Sequence, residues 1–163
     1  MEDATRLLGR PFSYCLPVVH GKMLGRRLGF PTANQIIPHG IAVPPPGVYA
    51  AKVTLTDGEK SVSFPGAANI GACPTVNKSV LRDAGIPTDR IGLPGSAGSG
   101  KAVCETYIDG YDGDLYGRQI RVSFLSRLRG EMKFSGVSEL TDQIRCDALS
   151  AREIYEQSAE ECE

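Results

Sequence analysis

The chemistry this sequence offers is concentrated between residues 21 and 34, where Gly21, Gly25 and Gly29 are interleaved with Lys22, Arg26 and Arg27 and lead into Phe30-Pro31-Thr32-Ala33-Asn34. Glycines let backbone N–H groups approach a ligand closely and clustered cations favour an anion, so phosphate is the natural ligand of such a loop. Thr32 and Asn34 lie two residues apart on an extended piece begun by Pro31. Their neutral oxygens therefore project to one side, where they suit a magnesium ion held mostly by phosphates and water. An exposed hairpin turn decorated with Gly and Arg fits the same residues nearly as well.

Glu105 is a lone carboxylate in Val103-Cys104-Glu105-Thr106-Tyr107, flanked by apolar and aromatic neighbours. It could serve a hydroxyl nucleophile as general base. It could equally be an outward-facing residue of a half-buried sheet, and position alone favours that second reading. In Leu128-Arg129-Gly130-Glu131-Met132-Lys133-Phe134 an arginine and a phenylalanine after a strand could grip a planar aromatic ligand by hydrogen bonding and stacking, or form an ordinary charged turn. Gly95 to Ala102 imitates the phosphate-binding pattern G-x-x-x-x-G-K-[ST], but ends in alanine where the metal-binding hydroxyl belongs. It follows Leu93-Pro94 rather than a buried strand and precedes a β-like segment, so a flexible glycine-serine loop is the better reading.

The elements that must position these residues read mainly as β. Phe12–His20 is apolar and β-rich, Val48–Leu55 and Ser61–Ala68 flank an Asp57-Gly58 turn signal, and Val103–Ile108 and Arg118–Leu125 are further strands. Between Ser138 and Glu160 the period changes, with Leu140, Ile144, Ala148, Ala151 and Ile154 at helical spacing behind a Ser138 cap and an acidic Glu139. Residues 77–100 are rich in Gly, Pro and Ser, which is long for a loop inside a domain and is expected to be a flexible insertion. Strands followed by one helix predict a barrel or sandwich with the helix packed outside.

The chain has 163 residues, 41% of them hydrophobic, and a formal net charge of −1. That length predicts one domain over 1–163 with a core that needs no disulfide or structural metal. A near-neutral balance argues against a nucleic-acid partner, which would require a broad basic surface. No apolar run approaches a membrane span, and Met1-Glu2-Asp3-Ala4-Thr5-Arg6 lacks the order of a signal peptide, so a cytoplasmic protein with no membrane partner is expected. The five scattered cysteines then read as reduced thiols.

In order and spacing, Gly21 to Asn34, Gly47-Val48-Tyr49-Ala50, Asn69-Ile70-Gly71, Pro74-Thr75, Glu105-Thr106-Tyr107-Ile108, Asp114-Leu115-Tyr116-Gly117 and Leu128-Arg129 with Phe134 resemble the riboflavin kinase (flavokinase) family over nearly the whole chain. The Pro31-Thr32-Ala33-Asn34 element is the most specific piece. The resemblance implies a mainly β fold, a six-stranded antiparallel Greek-key β-barrel with a C-terminal α-helix. It implies transfer of the γ-phosphoryl of ATP to the ribityl 5′-hydroxyl of riboflavin, giving FMN and ADP, with Mg2+ as cofactor. By motif, Thr32 and Asn34 would orient magnesium and phosphates, Gly21 and Arg26 would hold ATP phosphates, and Glu105 would activate the hydroxyl. Ile108 and Tyr116 would lie on the nucleotide side, and Arg129 and Phe134 would contact the flavin. The chain differs from many relatives in the 77–100 insertion and in Tyr107, where they carry histidine; Tyr107 is expected to face away from the reaction. Leu7 to Phe12 resembles the junction at which the kinase module begins in bacterial bifunctional FAD synthetases, which implies an adenylyltransferase domain in a longer natural chain. The competing readings are a non-catalytic flavin-binding module of the same fold and a kinase using another nucleotide donor.

Overall fold

A computed structural model describes residues 1–21, 25, 28–73 and 101–160. They form a short helix α1 (Glu2–Leu8), strands β1 (Ser13–Pro17), β2 (Thr32–Ile36), β3 (Gly47–Asp57), β4 (Lys60–Cys73), β5 (Lys101–Ile108) and β6 (Gln119–Arg129), and a long helix α2 (Val137–Glu160). The expected insertion at 77–100 and the cations Lys22, Arg26 and Arg27 lie outside the described residues. Among the described residues no helix is long and apolar enough to cross a membrane.

The turn signal at Asp57-Gly58 works as the sequence predicts. Gly58 adopts φ 59, a left-handed conformation open to glycine at little cost, and β3 and β4 stay in register from Asp57↔Lys60 to Gly47↔Ile70. Alternate residues Tyr49, Ala51, Val53 and Leu55 of β3 enter the core, while Lys52 and Thr54 point to the other face. All neighbouring strands are antiparallel, in the order β1-β6-β3-β4-β5-β2. The expected mainly β architecture of six antiparallel strands and a C-terminal helix is therefore present, as a curled half-barrel.

The curl brings the two edge strands together at a seam. The Val19 amide donates to the Asn34 carbonyl at 2.8 Å. Next to it the fully buried Gln35 crosses the interior, its Nε2 donating to the carbonyls of Leu16 at 2.7 Å and Ile120 at 3.0 Å. Around this strut Tyr14 and Tyr49 each meet Phe124 edge-to-face at 5.5 Å. Their hydroxyls donate to the carbonyls of Ala42 and Pro45, both at 2.6 Å, so buried phenols are satisfied and the proline-rich connection is pinned to the core.

Helix α2 packs on the outer face, where Val48, Ala50 and Ala67 are small enough to admit Ala151 and Ile154 of the helix, with Leu128 of β6 packed beside them. The stripe from Leu140 to Ile154 is its covered side, as expected. Its start differs. Ser138 lies inside the helix, and the cap is made from outside: the Glu139 carboxylate accepts from the Ser135 hydroxyl at 2.7 Å and the Ser135 amide at 2.8 Å. Both donors favour the charged carboxylate, so its pKa falls below the ordinary value.

Candidate functional site

Gly21 and Gly25 stand directly against the polar residues of β2. A Cβ on Gly21 would stand 2.6 Å from Asn34 Nδ2 and 2.8 Å from Oδ1. A Cβ on Gly25 would collide with the Phe30 carbonyl oxygen and reach within 3.4 Å of the Thr32 side chain. The close approach that these glycines permit is thus used first by the chain itself, to seat Thr32 and Asn34. The Leu28 and Phe30 amides both donate to the Gly25 carbonyl, at 3.0 and 2.8 Å, closing a turn just before Pro31. Asn34 is 9% exposed and its Nδ2 donates to the Thr32 carbonyl at 3.2 Å.

Beside this seat opens a cleft of about 390 Å³ lined by Gly21, Thr32, Asn34, Ile108 and Tyr116. Those are five of the residues marked by the motif, and the volume lies in the range of small-ligand sites. The turn after β5, Tyr111-Asp112-Gly113-Asp114, also lines it. Asp114 Oδ1 accepts the Tyr116 amide at 2.9 Å, and the Tyr116 ring stacks on His20 with centroids 3.6 Å apart.

Glu105 does not line this cleft, but strand register sets it beside Asn34, which does. It stands opposite Asn34 on β2 and Asn69 on β4, and the line continues through Val48 on β3 to Arg129 on β6. Directly opposed residues share a face. Asn34, Glu105, Asn69 and Arg129 therefore stand in one row on the outer face, with Glu105 exposed between the buried Cys104 and Thr106. The outward-facing reading of Glu105 is correct, and that outward face also carries Thr32, Asn34, Asn69 and Arg129, whereas Ile108 belongs to the inner core. Glu131 joins them: a Cβ on Gly71 would lie 3.4 Å from its Oε1 and 3.6 Å from Asn69 Nδ2. Neither Asn69 nor Glu131 carries a role in the sequence reading, although a polar Asn69 inside Ala67-Ala68-Asn69-Ile70 was a usable signal.

Arg129 is engaged within the protein. Its Nε donates to both Asp147 oxygens at 3.0 and 3.1 Å, Nη2 to Asp147 Oδ2 at 2.7 Å, and Nη1 to the Gly130 carbonyl at 3.0 Å. This bidentate pair ties β6 to α2, and the guanidinium also stands 5.8 Å from the Phe134 ring centroid. Arg129 thus holds the ground beside Phe134. Asp147 had no local signal, because only tertiary folding sets it against Arg129.

Tyr107, expected to face away from the reaction, shares the face of Glu105 and stands opposite Thr32. Burial, with a smaller contribution from the Asp109 carboxylate, raises its pKa above the ordinary tyrosine value. On the inner face burial pushes the Cys104 thiol up to about 12. Arg26 falls outside the described residues, as does most of the glycine-serine stretch; its last residues, Lys101 and Ala102, belong to β5, where a phosphate-binding loop would require a helix. Among the described residues no three His, Cys, Asp or Glu gather to hold a metal ion. The oxygens of Thr32 and Asn34 fit a hard cation that brings most of its own ligands, as magnesium does on a nucleotide.

The family model described as riboflavin kinase (Flavokinase) matches residues 8–155. The bifunctional riboflavin kinase/FMN adenylyltransferase of Pseudomonas fluorescens is 39% identical over 156 residues, covering 96% of this chain and 42% of its own length. The protein of the same description from Escherichia coli K12 is 40% identical over 152 residues, with 93% and 41% covered. That from Bacillus subtilis is 34% identical over 151 residues, again with 93% and 41% covered. The chain thus spans about two fifths of the length of these relatives. Among solved structures, a protein described as a macrolide-efflux protein from Streptococcus pneumoniae superposes with a TM-score of 0.69 at 28% identity, covering 92% of this chain and 41% of that one.

Proposed function

Because the chain belongs to the riboflavin kinase family, we propose that residues 1–163 act as one kinase domain that transfers the γ-phosphoryl group of magnesium-ATP to the ribityl 5′-hydroxyl of riboflavin. The observation that carries this reading is the strand register that sets Glu105 directly opposite Asn34, beside the cleft on which Gly21, Thr32 and Asn34 converge. Glu105 accepts the 5′-hydroxyl proton as the ribityl oxygen attacks the γ-phosphorus. The bond from that phosphorus to the β–γ bridging oxygen breaks, ADP leaves and FMN remains. Thr32 and Asn34 hold the magnesium-bound phosphates, and magnesium, when bound, neutralises charge developing on the transferred group. The Gly21 backbone faces the nucleotide phosphates, Arg26 by its place in the motif binds them, Ile108 and Tyr116 face the nucleoside, and Phe134, backed by Arg129, receives the isoalloxazine ring. Positioning and charge neutralisation are most of what phosphoryl transfer demands, so one base and one cradle are sufficient equipment.

ATP as donor and riboflavin as acceptor place the work in the cytoplasm and end it at FMN. The adenylyltransferase activity in the relatives' names belongs to those longer chains, and a natural protein that extends beyond these residues would carry that second activity in another domain. The test is to incubate the purified protein with riboflavin and magnesium-ATP, resolve the flavins and follow ADP, with CTP in parallel. FMN and ADP in equal amounts support the reading. Tight flavin binding without FMN from either nucleotide would replace it with a flavin-holding module.

A further inference from the structure

His20 sits at the junction of the Gly21–Asn34 seat and the Tyr116 side of the cleft, and the proposed mechanism gives it no part. It follows Val19, whose amide is fixed to the Asn34 carbonyl at 2.8 Å, and precedes Gly21, which stands against the Asn34 amide. Its imidazole lies on the Tyr116 ring, with centroids 3.6 Å apart and planes 25° from parallel. The backbone around Tyr116 is tied to the same segment: the Gly117 amide donates to the Val18 carbonyl and the Val18 amide to the Arg118 carbonyl, both at 2.9 Å, while Asp114 accepts the Tyr116 amide. Tyr116 lines the cleft and is half-buried against the core, whereas His20 is exposed and does not line it. The imidazole therefore covers the tyrosine ring from outside the cleft.

We propose that His20 is a positioning residue for the nucleoside: stacked on Tyr116, it holds that ring as a preformed wall of the cleft. This rests on the kinase reading for the identity of the ligand, a nucleoside phosphate, while the stack itself is a property of the fold. A ring already held in place loses less freedom on binding than one the ligand must order, so the stack strengthens nucleotide affinity. A flat aromatic partner is sufficient for this, because stacking uses ring faces rather than a particular nitrogen. His20 touches no reacting atom, so its loss weakens nucleotide binding and leaves the chemical step and the riboflavin side in place. An exposed stack that served stability alone would show in unfolding and not in the ATP KM.

His20→Ala removes the stack, and His20→Phe keeps a flat ring in its place. For each, calorimetric binding of magnesium-ADP reports the nucleotide, steady-state kinetics separate the ATP KM from the riboflavin KM and kcat, and the ring resonances of labelled tyrosine report Tyr116. The expected result for His20→Ala is about three- to tenfold weaker magnesium-ADP binding and a matching rise in the ATP KM, the size of one lost aromatic pair, with the riboflavin KM and kcat held within about twofold. His20→Phe should stay within about twofold of the unsubstituted protein throughout, and magnesium-ADP should shift the Tyr116 ring resonances of the unsubstituted protein. Unchanged magnesium-ADP affinity in His20→Ala, a fall in kcat in place of the change in ATP KM, or His20→Phe as impaired as His20→Ala overturns the proposal. So does a magnesium-ADP titration that leaves the Tyr116 ring unmoved. Absence of FMN formation by the unsubstituted protein, with magnesium-ADP still bound, overturns the kinase reading instead, and the calorimetric and resonance arms then still decide the role of His20.

Discussion

The contact between Gly21 and Asn34 makes a sharp demand on sequence. Replacing Gly21 with alanine puts a carbon 2.6 Å from the Asn34 amide nitrogen, where ordinary contact begins near 3.4 Å. The amide must therefore retreat by about 0.8 Å, a displacement on the scale at which misplaced groups lose about 10² in rate. The backbone need not move, because the Asn34 amide is the free end of a side chain. What is lost in stability is its bond to the Thr32 carbonyl, worth about 1 kcal/mol. The expected outcome is a roughly hundredfold fall in kcat/KM, about 2.7 kcal/mol of transition-state stabilisation, against about 1 kcal/mol of unfolding free energy. FMN formation followed by chromatography gives the first quantity and urea denaturation the second. Activity within about threefold of the unsubstituted protein, or an activity loss matched by the fraction unfolded, would refute the argument that this glycine is required by the placement of Asn34.

Other outcomes follow from the same geometry. Thr32→Ala should weaken magnesium-dependent ATP binding, and an unaltered magnesium titration would remove Thr32 from the metal site. Glu105→Gln should leave ATP binding intact while cutting turnover by about 10²–10⁴, the range for loss of a general base, and undiminished turnover would end its assignment. Asp147→Asn breaks the pair with Arg129, in which the side chains are 7% and 18% exposed, and should cost about 3 kcal/mol in denaturant melts; a cost below about 1 kcal/mol would mean that the helix is held by its other contacts and not by this pair. Cys104, with its pKa raised from 9.0 to about 12 by burial, contributes stability that is fully present below pH 9 and is lost as pH rises toward 12. Its share of the alkaline loss is at most about 1.4 kcal/mol per pH unit, and Cys104→Ala should flatten that slope.

What could be read from the sequence was whatever is local. The Asp57-Gly58 turn and its alternating flanks, and the stripe from Leu140 to Ile154, needed no distant partner to declare themselves. Strand β2 did not, because Thr32-Ala33-Asn34-Gln35-Ile36 has no alternation of apolar and polar residues, yet all but Thr32 are buried: Asn34 is covered by Gly21, and Gln35 finds its partners across the interior. Helix α1 also gave no signal, since its leucines stay exposed, Leu7 at 83% and Leu8 at 49%. At the site, motif order supplied the names of the residues, but only register could show that Asn34, Glu105, Asn69 and Arg129 form one row. The partnership of Arg129 with Asp147 is likewise a product of folding, whereas the side on which Tyr107 lies followed from its two-residue spacing from Glu105 in one strand.

The seam at which the half-barrel meets itself has a bearing on how the protein is made. Gln35 bonds a carbonyl of residue 120, 85 positions further along the chain. Synthesis proceeds from the N-terminus, so Thr32 and Asn34 leave the ribosome long before the strands that flank them. Pairings of such sequence separation form slowly, because the intervening chain must be ordered before they are rewarded. The motif letters are thus synthesised before the strands that complete their site, and that site is among the last features of the fold to mature. Newly released chains should show the β3–β4 hairpin before they show nucleotide binding, and the interval between the two is the time in which the open edges of β5 and β6 depend on protection from one another's copies.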